Sequence, residues 1–85
     1  MKWTDVVSMS AEQVASECSK HIGRTYEYDG LYSYVHGDAV SVTITGVTLK
    51  NPFWEVDVDN ELLFEDGHIS KRVMDGRQFL AAYAL

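Results

Sequence analysis

Apolar and polar residues alternate between positions 26 and 59, and this period of two predicts β-strands. Asp29-Gly30 and Gly37-Asp38 interrupt the alternation as two-residue turn signals, because Gly and Asp tolerate the positive φ of tight hairpins. The runs that these turns separate are residues 24–28, 31–36 and 39–49. The third run is rich in Val, Thr and Ile, which suit a pleated sheet.

Two-residue loops at these turns predict a register in which Tyr26 lies opposite Ser33 and Ser33 lies opposite Val42. Because side chains alternate along a strand, this register separates an apolar face from a polar face. The expected apolar face contains Tyr26, Tyr28, Leu31, Val35, Val40, Val42 and Ile44. The expected polar face contains Glu27, Tyr32, Tyr34, His36, Ser41, Thr43 and Thr45.

The apolar positions change phase at Gly46, because Val47 and Leu49 follow Ile44 one residue out of step. An extra residue at a glycine is typical of a β-bulge. The sequence therefore predicts that one long strand continues through a bulge at this position.

Residues 50–53 form the next expected loop, because proline at position 52 cannot donate a hydrogen bond to a sheet. A four-residue loop places Leu49 opposite Trp54 and Val47 opposite Val56, so the apolar face continues into the next strand. The acidic residues that alternate with it, and so join the polar face, are Glu55, Asp57 and Asp59.

Two helices are expected at the ends of the chain. Ser10 and Gln13 have the spacing of a capping box, in which each side chain accepts a backbone N–H of the other residue. This pattern predicts a helix over about 11–22. Asp75 and Gln78 predict a second cap and a helix over about 75–84, although a single helix over 69–85 fits the apolar spacing as well. Residues 1–9 fit either a short helical turn or an edge strand.

The apolar stripes of both helices need a surface to cover, and the apolar face of the sheet is the large surface that the sequence offers. We therefore expect one α+β domain over residues 1–85: an antiparallel meander of about four to five strands with both helices packed on one face. The polar face of the sheet is then left for solvent or a partner.

The net charge is −6, which argues against direct nucleic-acid binding, because proteins that bind duplexes usually neutralise phosphates with Lys and Arg. An acidic chain suits a basic protein surface better. We expect no internal disulfide from the single cysteine, no secretory signal at the start and no membrane span. These features favour a cytoplasmic protein.

No recognised catalytic motif occurs in the sequence, so we expect neither an enzyme nor a cofactor. Cys18 and His21 are three residues apart on the expected first helix and could share a face, as a metal-ligand pair or a thiol with its base. A buried thiol and a boundary histidine are the structural alternative. His36 and His68 are the other histidines, without metal-ligand spacing.

The expected polar face carries the candidate contact residues. Tyr32, Tyr34 and His36 would offer exposed aromatic area with hydrogen-bonding groups, and Glu55, Asp57 and Asp59 would attract a basic partner. The sequence thus favours a non-catalytic acidic protein-binding domain, for instance a phage-type inhibitor that occupies a basic or nucleic-acid-binding site of a host enzyme or defence complex, in the host cytoplasm. The alternatives are a homodimeric or assembly subunit and a small metal-binding protein or enzyme.

Overall fold

A computed structural model gives eight elements of regular structure and describes residues 1–27, 33–34, 37–49 and 55–83, without the side chains of residues 33, 34 and 37. The helices are α1 (Trp3–Val7), α2 (Ala11–Ser19) and α3 (Gly76–Tyr83). The strands are β1 (Thr25–Glu27), β2 (Ser33–Tyr34), β3 (Gly37–Leu49), β4 (Val56–Phe64) and β5 (Ile69–Asp75). The expected α+β class, an antiparallel sheet with N- and C-terminal helices packed against it, is confirmed.

The capping box at the start of α2 is confirmed. Ser10 Oγ accepts the backbone N–H of Gln13 at 3.2 Å, and Gln13 Oε1 accepts the backbone N–H of Ser10 at 2.8 Å. The helix ends at Ser19, three residues before the expected end, and a turn follows to Gly23, where φ is +86°. Glycine adopts this left-handed conformation without steric cost, so the chain can reverse there toward the sheet.

The two ambiguous ends of the chain are resolved by the structure. Residues 1–9 contain the short helix α1, in which Val6 is fully buried. The alternative helix over 69–85 is wrong, because its first part is strand β5 and α3 begins only at Gly76. Asp75 precedes α3 as expected of a cap, with its Oδ1 accepting the backbone N–H of Arg77 at 3.2 Å.

The sheet has the strand order β1-β3-β4-β5, with β2 paired to a different part of β3. The expected pairing of Tyr26 with Ser33 is wrong, since Tyr26 lies opposite Val42, and Ser33 lies opposite Asp38. The chain reverses between Tyr34 and Gly37, two residues before the expected loop. Strand β1 therefore skips its neighbour in sequence, β2, and pairs with β3, where Tyr26 still reaches the apolar face.

The long strand β3 carries the expected bulge, because its register with β4 shifts between Ile44 and Gly46. A second shift, between Ala39 and Ser41, was not expected. It leaves Val40 as the extra residue, so that Ala39 is buried and Val40 is 44% exposed. The prediction that Val40 belongs to the buried face is wrong for this reason.

The β3–β4 hairpin keeps the predicted faces with a different register. Leu49 lies opposite Val56 and Val47 opposite Val58, each two residues further along β4 than expected. A shift of two residues preserves the alternation, so Val56 and Val58 remain in the core.

The core lies between the three helices and one face of the sheet. Its buried residues are Val6, Val14, Cys18, Ala39, Val42, Ile44, Val56, Val58, Leu62, Phe64, Phe79 and Leu80. Strand β4 runs without interruption through Asn60, which is 1% exposed on this same face. Its Nδ2 donates to the Val58 carbonyl at 3.1 Å, while its Oδ1 accepts no hydrogen bond from the part of the chain that the structure describes.

Candidate protein-binding surface

The sheet face opposite the helices, which we call the helix-free face, has no helix packed on it within the described residues. Its position follows from alternation: the core residues of β4 have even numbers, so the odd-numbered residues point the other way. Its cross-strand rows are Ser41–Leu63–Ile69, Thr43–Glu61–Lys71, Gly46–Asp59–Val73 and Thr48–Asp57–Asp75. Strand β1 extends two of these rows with Glu27 and Thr25, and Thr25 Oγ1 lies 2.8 Å from Thr43 Oγ1.

The acidic residues of β4 occupy consecutive positions on this face. Asp59 and Glu61 are partly exposed, but Asp57 is only 3% exposed, so the prediction that Asp57 belongs to a solvated face is wrong. β4 lies between two other strands, and Asp57 is flanked on both sides, by Thr48 and by Asp75. Side chains in the middle of a sheet are covered by such neighbours more than those at an edge. The exposed acidic groups of β4 are therefore Asp59 and Glu61.

Glu55 precedes β4 and has a structural partner. Its carboxylate accepts a hydrogen bond from Nε of Arg77, which lowers the pKa of Glu55 below its usual value. The same guanidinium donates to the backbone carbonyls of Val6 and Met9, at 2.6 and 2.9 Å. Glu55 is thus hydrogen-bonded to α3 through Arg77, with its side chain 54% exposed.

The three predicted aromatic contact residues are not tested by the structure. Tyr32 and His36 lie outside the described residues, and Tyr34 is described only by its backbone, which pairs with Gly37. Their role as contact residues stays a prediction.

Exposed apolar residues on the helix-free face were missed by the sequence reasoning. Leu63 is 38% exposed, and its cross-strand neighbour Ile69 is 55% exposed. Val73, on the same strand as Ile69, is 58% exposed. The signal was present in the alternation of Ile69, Lys71 and Val73, but these residues fit a helical spacing too. Their side chains lie on one face of the sheet because β5 is a strand.

Cys18 and His21 do not form a thiol–base pair. Cys18 is completely buried, which raises its pKa to about 11, and its Sγ lies 3.6 Å from the carbonyl of Gly76. A thiol with this pKa is protonated and unreactive near neutral pH. Nδ1 of His21 is hydrogen-bonded to the hydroxyl of Tyr26, and its ring meets Phe79 edge-on. Partial burial and nearby Arg24 lower the pKa of His21.

A metal site is not visible in residues 1–27, 37–49 and 55–83, where no three His, Cys, Asp or Glu side chains are close enough to share an ion. His68 lies in the exposed turn before β5, beside the ring of Phe64. None of the helices in the described part of the chain is long and apolar enough to span a membrane.

The fold and this surface define a two-layer α+β domain whose helix-free face combines acidic and apolar side chains with the exposed Lys71. Comparison with protein-family models, with curated proteins and with solved structures finds no match to this chain.

Proposed function

We propose that this chain is a non-catalytic protein-binding domain that contacts a basic partner through the helix-free face. The observation that carries the proposal is the position of Leu63, Ile69 and Val73, exposed on one face beside Asp59 and Glu61. Protein interfaces commonly combine a desolvated apolar centre with a polar rim. An apolar group of this kind beside carboxylates fits that composition.

Charge supports the choice of partner. The net charge of −6 attracts a positively charged surface and accelerates the encounter with it at low ionic strength. The same charge opposes contact with nucleic acid, whose phosphates repel carboxylates. A protein surface rich in Lys and Arg is the partner chemistry that follows.

A more specific version of this proposal is that the chain inhibits its partner. A chain of 85 residues with this charge has the size and sign to occupy a groove that an enzyme or defence complex uses for nucleic acid, as a phage-encoded inhibitor in the host cytoplasm would. In this form, duplex DNA and the protein compete for one basic site. Competition between them, measured on the partner once it is identified, separates inhibition from simple binding.

The direct experiment is affinity capture from a bacterial lysate at low and high salt, followed by mass spectrometry, with two charge variants. The test variant is Asp59→Asn/Glu61→Gln, which removes two charges from the face and keeps the side-chain shapes. The control is Asp5→Asn/Glu12→Gln, which makes the same change on the exposed surface of α1 and α2. We expect the control to retain a basic protein at low salt, and the test variant to retain about tenfold less.

Equal retention by both variants would show that the charge of the helix-free face is not used. The earlier set of Glu55, Asp57 and Asp59 is unsuitable for this test. Asp57 is buried, so replacing it changes folding together with binding, and Glu55 is hydrogen-bonded to Arg77.

A homodimer is the second candidate, because a second copy could cover the same exposed apolar residues. Light scattering after gel filtration distinguishes the two. The binding proposal expects the mass of one chain, 9.6 kDa. A stable dimer that Ile69→Thr/Val73→Thr dissociates would replace the proposal, because the face would then be occupied by the chain itself.

A further inference from the structure

Strand β5 is an edge strand, paired with β4 on one side and with no strand on the other within the described residues. Its register with β4 is unbroken over seven residue pairs. The turn before it fixes the hydrogen-bonding phase, because the backbone N–H of Phe64 donates to the carbonyl of His68 at 2.9 Å. β5 is therefore a regular strand, and its pairing with β4 determines which of its backbone groups point outward.

The outward backbone groups of β5 follow from this phase. Hydrogen-bonded and non-hydrogen-bonded pairs alternate in an antiparallel ladder. Because Phe64 and His68 form a hydrogen-bonded pair, Ile69, Lys71 and Val73 stand in non-hydrogen-bonded pairs with β4. Their N–H and C=O groups therefore point away from β4, toward the outer edge.

The side chains of the same residues indicate what kind of segment this edge would bind. Ile69 and Val73 are the most exposed of the large hydrophobic side chains in the described chain, at 55% and 58%. Lys71 lies between them, also exposed, and Arg72 follows on the other face of the strand. The chain has a net charge of −6, but this edge strand carries two adjacent cations, Lys71 and Arg72.

We propose that the β5 edge binds an acidic extended segment of a partner protein, which adds to the sheet as an antiparallel strand. Its backbone bonds to Ile69, Lys71 and Val73, apolar side chains cover Ile69 and Val73, and carboxylates face Lys71 and Arg72. The expected pattern in the partner, from its N-terminal side, is apolar–acidic–acidic–any–apolar. Ile69 and Val73 also belong to the helix-free face, where Lys71 lies opposite Glu61. The inference rests on the backbone edge of β5 and its cations, and not on the proposed function.

Charge disfavours a second copy of the chain as the occupant of this edge. When two copies of β5 pair antiparallel with long overlap, Lys71 and Arg72 lie opposite or next to their own counterparts. Like charges directly across a strand pair are destabilising. The same cations that prevent self-pairing attract an acidic segment.

The experiment uses the intact chain and a synthetic peptide, acetyl-Val-Glu-Glu-Thr-Val-amide, with a fluorescent label for anisotropy. We expect saturable binding below about 1 mM and slower amide hydrogen exchange at Ile69, Lys71 and Val73. A peptide with lysines in place of the glutamates should not bind. Absence of binding by the glutamate peptide, or protection confined to other residues, would overturn the proposal.

Backbone methylation of the peptide tests strand addition without altering the protein. The third peptide residue faces Lys71 and bonds to it, whereas the amide of the fourth residue points away from β5. N-methylation at the third residue should weaken binding about fivefold or more, and N-methylation at the fourth should have a much smaller effect. Equal effects at both positions would contradict the pairing.

Charge variants separate this inference from the proposed function. Lys71→Glu should weaken binding of the acidic peptide about three- to tenfold at low salt, and Lys2→Glu, the same change on the helical side of the domain, should not. Asp59→Asn/Glu61→Gln should leave peptide binding equal or stronger, while it reduces capture of a basic partner. An unchanged affinity in Lys71→Glu would show that this cation does not select the peptide.

Discussion

Gly76 is a single residue on which the contact between the two layers depends. It is the first residue of α3 and is buried against both a helix and a strand. A Cβ at this position would lie 2.8 Å from Cγ1 of Val56 and 3.1 Å from Cγ1 of Val14. The lack of a side chain therefore permits α3, α2 and β4 to approach closely.

Gly76→Ala tests this close approach. Alanine is the better helix former by about 1 kcal/mol, yet we expect the free energy of unfolding to fall by about 1–3 kcal/mol, because the new methyl group overlaps two packed valines. Urea denaturation measures the change. In a double-mutant cycle, Val56→Ala should cost less in the Gly76→Ala background than in the wild type. A Gly76→Ala protein as stable as the wild type would contradict the packing.

Residue spacing in the sequence predicted the features that depend on local geometry. The capping box of Ser10 and Gln13 and the bulge at Gly46 are both confirmed, because each depends on residues close together in the chain. The bulge at Val40 carried no such signal, since neither glycine nor a break in the apolar pattern marks it. The burial of Asp57 depends on both neighbouring strands, which sequence spacing does not specify.

At the scale of elements, Arg77 joins α1 to α3 by hydrogen bonds. The guanidinium on α3 donates to the carbonyls of Val6 and Met9, at and just beyond the C-terminal end of α1, and is itself hydrogen-bonded to Glu55. The carbonyl of Val6 also accepts the backbone N–H of Met9 at 3.2 Å, so the guanidinium adds a charged donor at a helix end where the dipole favours cations. Val6 contributes the buried apolar part of the same contact.

Arg77→Met tests the attachment of α1. The substitution keeps much of the apolar stem but removes the donors, so we expect the free energy of unfolding to fall by about 2–3 kcal/mol and the amides of α1 to exchange faster. Glu55→Gln serves as control, since it removes the exposed ion pair and leaves both carbonyl bonds in place. Its effect should be much smaller. Equal losses in the two variants would assign the stability to the ion pair instead.

The order of the strands was harder to predict than their existence. Turn signals at Asp29-Gly30 and Gly37-Asp38 favoured a simple meander, but β1 pairs with β3. Val56 and Val58 nevertheless keep the predicted face, because an even shift in the β3–β4 register leaves alternation unchanged. Val40 and Asp57 are exceptions to the predicted faces. The candidate site was predicted less well: Glu55 is engaged by Arg77, and the apolar residues of β5 depended on an undecided element.

At the scale of the whole molecule, stability should depend on pH in two separate ranges. Burial, with a contribution from Arg24, lowers the pKa of His21 below 6.5, so the folded state binds the proton less readily than the unfolded state. The resulting stability is present above pH 6.5 and is lost as the pH falls from there toward the lower pKa of the folded state. Glu55, whose pKa is lowered by Arg77, contributes likewise above its usual value of 4.5 and loses that contribution below it.

His21→Gln should remove the first of these ranges. We expect the free energy of unfolding of the wild type to decrease between about pH 7 and pH 5.5, and that of His21→Gln to be flatter there. Urea titrations at several pH values give the comparison. A slope that survives in His21→Gln would assign the dependence to another group.

The contacts of Arg77 also have a consequence for the order in which the chain folds. They join residues 71 and 68 positions apart, whereas β3, β4 and β5 follow one another along the chain with short separations. Closing the longer loop costs more chain entropy before any contact repays it. We therefore expect the three consecutive strands to form the folding nucleus and α1 to dock late, so that its contacts slow unfolding rather than accelerate folding.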